Sequence, residues 1–103
     1  MEKLVRDLIP QIIAASGRRP EVRQAGKEER IELLIRKLRE EVDEFTQDRN
    51  VEELADLLEV IHALALEIGT TLGCLEQARE DKLKSRGGFS AGLVLVAIAP
   101  AAP

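Results

Sequence analysis

Aromatic residues are nearly absent: Phe45 and Phe89 make up 2% of the chain, and there is no Trp or Tyr. Single-stranded nucleic acids are held by stacking bases on aromatic rings, so this composition argues against that class of partner. Cysteine is as scarce. Cys74 stands alone, which rules out an internal disulfide and a cysteine-rich zinc site, and fits a reducing cytosol. With no basic partner within sequence reach, Cys74 reads as a small core residue. Long apolar runs are missing too. The run Leu93 to Ile98 is far shorter than the ~20 residues a membrane helix needs. The opening Met1-Glu2-Lys3-Leu4-Val5-Arg6-Asp7 carries charge where a secretion leader is apolar. A cytoplasmic protein with no membrane partner and no nucleic-acid partner is expected.

What is present is charge on a helical framework. Hydrophobic residues account for 45% of the 103 residues and charged residues for 33%, the balance of a well-solvated globular chain. The length predicts one domain over residues 1–103, with about 99–103 frayed. The net charge of −4 is unevenly spread. Residues 17–39 carry a local +4, whereas residues 40–59 hold nine acidic side chains against Arg49 alone, a local −8. An acidic run on a helix is ordinarily solvated surface. Its meaning depends on whether the carboxylates converge.

The periodicity predicts an all-α fold, an antiparallel bundle of about four helices. The first runs from about Asp7 to Ser16, with Asp7 as N-cap, Pro10 in the first turn and Gly17 as the stop. Arg18 to Gly26 is polar and irregular, with Glu21-Val22-Arg23-Gln24 a candidate short strand. The second helix presents Ile31, Ile35, Leu38, Val42 and Phe45 at alternating spacings of four and three. After the polar turn Gln47-Asp48-Arg49-Asn50, the third presents Leu54, Leu57, Leu58, Ile61, Leu64, Ala65 and Ile68, and Gly69 closes it. The fourth runs from near Thr70 to Arg86 and stops at Gly87-Gly88. Gly92 to Ile98 is apolar and partly β-branched, which predicts a short C-terminal strand.

On helical wheels, Glu41 and Glu44 lie roughly 70° and 130° to one side of the second helix's apolar stripe. Glu53 and Asp56 lie roughly 80° and 140° off the third helix's stripe in the same rotational sense. Antiparallel neighbours joined by a short turn are related by an approximate two-fold axis, which preserves that sense. Each pair also stands six residues from the turn's centre, about 9 Å along its helix. Four carboxylates are therefore expected at one height on one face. Such convergence is repulsive unless a cation offsets it, and Mg²⁺ (or Mn²⁺ in its place) takes carboxylate oxygens while keeping sites for water or phosphate. Glu40, Glu52 and Glu59 fall nearer the solvated side.

Lys82 and Arg86 stand one turn apart late in the fourth helix, with Arg79 close to the same face. Cations there complement the helix dipole, and they also suit a phosphate clamp. His62 lies on the other flank of its stripe and reads as a packed or surface side chain.

These residues resemble a known family. Leu38-Arg39-Glu40-Glu41-Val42-Asp43-Glu44 followed by Glu52-Glu53-Leu54-Ala55-Asp56-Leu57-Leu58 looks like the E-x-x-E…E-x-x-D signature of the MazG-type all-α nucleoside triphosphate pyrophosphohydrolases, a superfamily that includes dimeric dUTPases and phosphoribosyl-ATP pyrophosphohydrolase. The opening Lys3-Leu4-Val5-Arg6-Asp7-Leu8-Ile9-Pro10 and the late Lys82-x-x-x-Arg86-Gly87-Gly88-Phe89 resemble a small branch of it. The chain departs from the usual pattern at Leu8, where the opening has Lys, and at Glu80, where many members have Asn. The resemblance implies Mg²⁺-dependent cleavage between the α and β phosphates of a nucleoside triphosphate. Glu41, Glu44, Glu53 and Asp56 would hold the metal, Glu41 or Glu44 would accept a proton from water, and Lys82 and Arg86 would bind phosphate. It also implies a homodimer or homotetramer. A helical dimerisation or adaptor module and a phosphoribosyl-ATP hydrolase are the rival readings.

Overall fold

The computed structural model describes residues 2–102. It is all-α, with helices α1 (Ile9–Ala15), α2 (Lys27–Gln47), α3 (Val51–Glu67) and α4 (Leu72–Arg86). Two compact units divide the chain, one ending at Leu72 and the other beginning at Gly73. No single helix among the described residues is long and apolar enough to cross a membrane.

The first unit is built on the antiparallel hairpin of α2 and α3, which pack against each other. Three residues, Asp48 to Asn50, separate the helices, so the chain must reverse at once. Asn50 makes this possible. It is extended (φ −130°, ψ 173°), and its side chain accepts a hydrogen bond from the Glu53 backbone N–H at 3.0 Å, capping α3. At the far end, Arg30 Nε and Nη2 donate to the Glu67 carboxylate at 2.7 and 3.3 Å. The pairs Arg30–Glu67 and Glu41–Asp56 share one register, each centred midway between Asp48 and Arg49. The hairpin thus keeps the register inferred from the sequence over its whole length.

The covered side chains are not quite the predicted ones. Among the described residues the buried apolar set is Leu34, Val60 and Ala65. Of these only Ala65 belongs to the predicted stripes. Ile35, Val42, Leu54, Leu58 and Ile61, all stripe residues, remain exposed by 38–51%. The reason is the N-terminal segment, which lies over the flank of the hairpin that bears Leu34 and Val60. The apolar stripes are wider than two helices can cover.

Helix α1 starts later than Asp7. Its N-cap is Leu8, no side chain caps it, and Pro10 occupies the first turn, where a missing N–H costs nothing. Asp7 is therefore not the cap. Gly17 follows the helix at φ +88°, a left-handed conformation that glycine adopts without steric strain.

In the second unit α4 ends at Arg86, and Gly87 turns the chain at φ +82°. Neither Glu21–Gln24 nor Gly92–Ile98 is a strand; both are irregular, and Leu93 to Ile98 is exposed. A strand is defined by its ladder partner, and β-branched composition alone supplies none. Cys74 is exposed rather than part of a core, because it falls on the weakly amphipathic α4.

Candidate metal centre

Two elements bring the predicted carboxylates together. The Asn50 cap fixes Glu53 in the first turn of α3, and one turn later Asp56 follows on the same side. Helix α2 returns Glu41 opposite them. One oxygen from each of Glu41, Glu53 and Asp56 lies within 4.8 Å of the other two, and all three residues are half-buried. Glu44 does not join this trio; it is exposed, and close enough to bear on Glu53 electrostatically.

The site is electrostatically loaded. A carboxylate in the first turn of a helix is favoured by the helix dipole. Even so, the Glu53 carboxyl is pushed above the ordinary carboxylate range. Partial burial is the main cause, followed by the negative charges of Glu44, Asp56, Glu41 and Asp48. Compensation is incomplete. Lys37 Nζ stands 3.6 Å from Glu41 and 3.8 Å from Glu40, beyond good hydrogen-bonding distance. Arg6 Nη2 reaches Asp56 Oδ1 at 2.6 Å. Glu53 has no ion-pair partner among the described residues.

The donor set is all oxygen and anionic, which suits a hard divalent cation rather than zinc. Oxygens this close together could meet on one ion after side-chain rotation. Three protein oxygens leave the remaining positions to water or phosphate.

Lys82 and Arg86 are both exposed and lie one turn apart on α4, in the second unit. Arg79, nearby in sequence, is committed to the Glu76 carboxylate. His62 is half-buried and outside the carboxylate group. Sequence reasoning missed Arg6. It sits 50 residues from Asp56, in an irregular segment, where no spacing rule connects them.

Beneath that segment lies a cleft of about 650 Å³, within the size range of sites for small organic ligands. Leu4, Leu8, Ile12, Leu34, Val60 and Ala63 supply its apolar wall, and Arg6, Glu41 and Asp56 connect it to the carboxylates. The chain matches no known family model, no curated protein and no solved structure.

Proposed function

We propose that the protein is a Mg²⁺-dependent nucleoside triphosphate pyrophosphohydrolase. It would hydrolyse the anhydride between the α and β phosphates to give a nucleoside monophosphate and pyrophosphate, in the disposal of non-standard nucleotides. The observation that supports this most is the meeting of Glu41, Glu53 and Asp56 from two helices beside an apolar cleft. The resemblance of the E-x-x-E…E-x-x-D segments agrees with it.

Glu41, Glu53 and Asp56 would hold Mg²⁺, or Mn²⁺ in its place. The ion supplies neutralisation of the triphosphate and a lowered pKa for bound water. Glu44, outside the trio, is suited to accept the proton that water loses as its oxygen bonds to phosphorus; Glu41 is the alternative acceptor. The apolar cleft would take the nucleoside. Lys82 and Arg86, one turn apart on α4, are proposed separately as a phosphate-binding pair. Incubating the protein with a panel of nucleoside triphosphates and Mg²⁺ tests the reading directly. Pyrophosphate and monophosphate in equal amounts are expected from at least one substrate; no release across the panel would overturn it and favour the adaptor reading.

The clamp has its own test. Arg86→Ala is expected to weaken binding of a non-hydrolysable triphosphate about tenfold, the value of a charge-assisted hydrogen-bond pair, while Mn²⁺ affinity in the absence of nucleotide is unchanged. Equal nucleotide affinity in variant and parent would return Arg86 to its role at a helix terminus.

The hairpin's exposed apolar face supports self-association as a homodimer or homotetramer. Ile35, Val42, Leu54, Leu58 and Ile61 form it, and a unit with so few buried side chains has much to gain by covering it. Sedimentation velocity should show a dimer or larger species. Leu58→Lys should shift it to monomer; a monomeric parent at the same concentration would refute the association.

A further inference from the structure

The carboxylates account for one side of the N-terminal segment. A second cleft, of about 680 Å³, shares Leu4, Val5, Arg6, Ile9 and Arg30 with the first and is bounded also by α1 and the irregular stretch that follows. Six basic side chains line it; Arg6, Arg23 and Arg30 are paired with carboxylates, and Lys3, Arg18 and Arg19 supply positive charge left unpaired among the described residues. Such a concavity focuses a positive field and draws anions.

Its cations are not equally committed. Arg23 is clasped by Glu2 at 2.6 Å and by Glu29 at 2.6 and 2.8 Å, so the carboxyl of Glu29 is held below its ordinary range. Arg30 is taken by Glu67. Lys3, Arg18 and Arg19 have no carboxylate partner among the described residues. Arg6 lines both clefts, and its single contact to Asp56 engages one of five guanidinium N–H donors. The two salt bridges of Arg23 fasten the cleft's walls, while four cations are left for a ligand.

We propose that this basic cleft binds the phosphate chain of the substrate, through Lys3, Arg6, Arg18 and Arg19, and that Arg6 joins it to the carboxylate site. The identification of the ligand as a triphosphate's phosphates rests on the proposed hydrolase reading. The cleft itself does not depend on a metal. In the metal-free protein the Arg6 guanidinium partly neutralises Asp56. Were Asp56 to hold a divalent cation, the Arg6 guanidinium would lose its hold on that carboxylate and its planar fork would be free to face phosphate oxygens. Metal and phosphate therefore bind with positive coupling, and by linkage each strengthens the other equally.

The probe is inorganic pyrophosphate, titrated calorimetrically into the full chain with chelator present and again with Mn²⁺. Binding is expected in chelator, weakening steeply with salt. Arg18→Gln combined with Arg19→Gln should weaken it about tenfold, and Arg6→Gln by a similar factor. All of these positions are exposed, so melting curves should stay near that of the parent. No binding in chelator, or binding insensitive to Arg6, Arg18 and Arg19, would overturn the cleft assignment. The metal reading is judged separately by the Mn²⁺ isotherm of the parent without pyrophosphate. A parent that binds Mn²⁺ but no pyrophosphate keeps the metal site and loses the cleft. The reverse keeps the cleft and loses the metal site.

Discussion

Glu53→Gln is expected to abolish measurable Mn²⁺ binding and pyrophosphate release while leaving the helices intact. Loss of an outer partner of a metal ligand already costs about 10- to 100-fold in affinity, so removing one of three direct ligands should cost at least the upper end of that range. The substitution keeps the side chain's size and the Asn50 cap, because the cap uses the backbone N–H of residue 53 and not its carboxylate. Asp56→Asn should lose the metal as fully, and it also releases Arg6.

The same substitution has an opposite effect on metal-free stability. The Glu53 carboxyl is raised by burial and by its acidic neighbours, so the folded protein holds that proton more tightly than the unfolded chain does. Its contribution to stability is present below the ordinary carboxylate pKa and is lost as pH rises through the raised value. At neutral pH in chelator, Glu53→Gln should therefore melt about 1–2 °C above the parent, the scale of relieved like-charge pairs. Mn²⁺ affinity of the parent should fall as pH drops through the carboxylate range, since Glu53 protonates early there. Circular-dichroism melts in chelator and calorimetry across pH measure both. A variant that melts lower than its parent in chelator would mark Glu53 as a structural partner of nearby cations instead of a metal ligand.

That dual behaviour was legible in the sequence because a short turn between two long amphipathic helices leaves little freedom. Once Asp48 to Asn50 is the turn, the register follows, and Glu41 meets Asp56 as Arg30 meets Glu67. Glu44 has an equivalent position opposite Glu53, yet its oxygens stay outside the trio. Angular offset predicts the face, but a flexible three-carbon side chain at the open edge is not held there by packing.

Other features were hidden for identifiable reasons. Arg6 pairs with Asp56 through an irregular segment, and helical or strand periodicity says nothing about where such a segment lies. The same segment moves the covered flank from Ile35 and Val42 to Leu34 and Val60. Gly92 to Ile98 has strand composition, but composition cannot provide a ladder partner. Asp7 looks like an N-cap by residue type; Pro10 instead fits a helix whose first residue is Ile9.

Leu34→Ala is expected to be the most destabilising single change among the sites considered. Leu34 is the most deeply covered side chain of α2, exposed by only 8%, and it stands where α2, α3 and the N-terminal segment meet. Truncating a buried leucine costs about 2–4 kcal/mol, from lost transfer energy plus the space left behind. Site collapse would reduce that cost, but here the wall opens on a cleft of about 650 Å³, so few atoms can move in to replace the lost methyl groups. In a domain of this size each kcal/mol shifts the melting temperature by about 4–8 °C, so a fall of roughly 10 °C or more is expected. Leu34 also carries no charge and lies apart from the carboxylate trio, so the folded variant should retain its Mn²⁺ sites. Ligand that binds only the folded form stabilises it by mass action, and saturating Mn²⁺ should recover part of the loss. Thermal melts of parent and variant with chelator and with Mn²⁺ test both statements. A shift under about 2 °C in chelator would place the stabilising packing of this unit elsewhere than beneath the N-terminal segment.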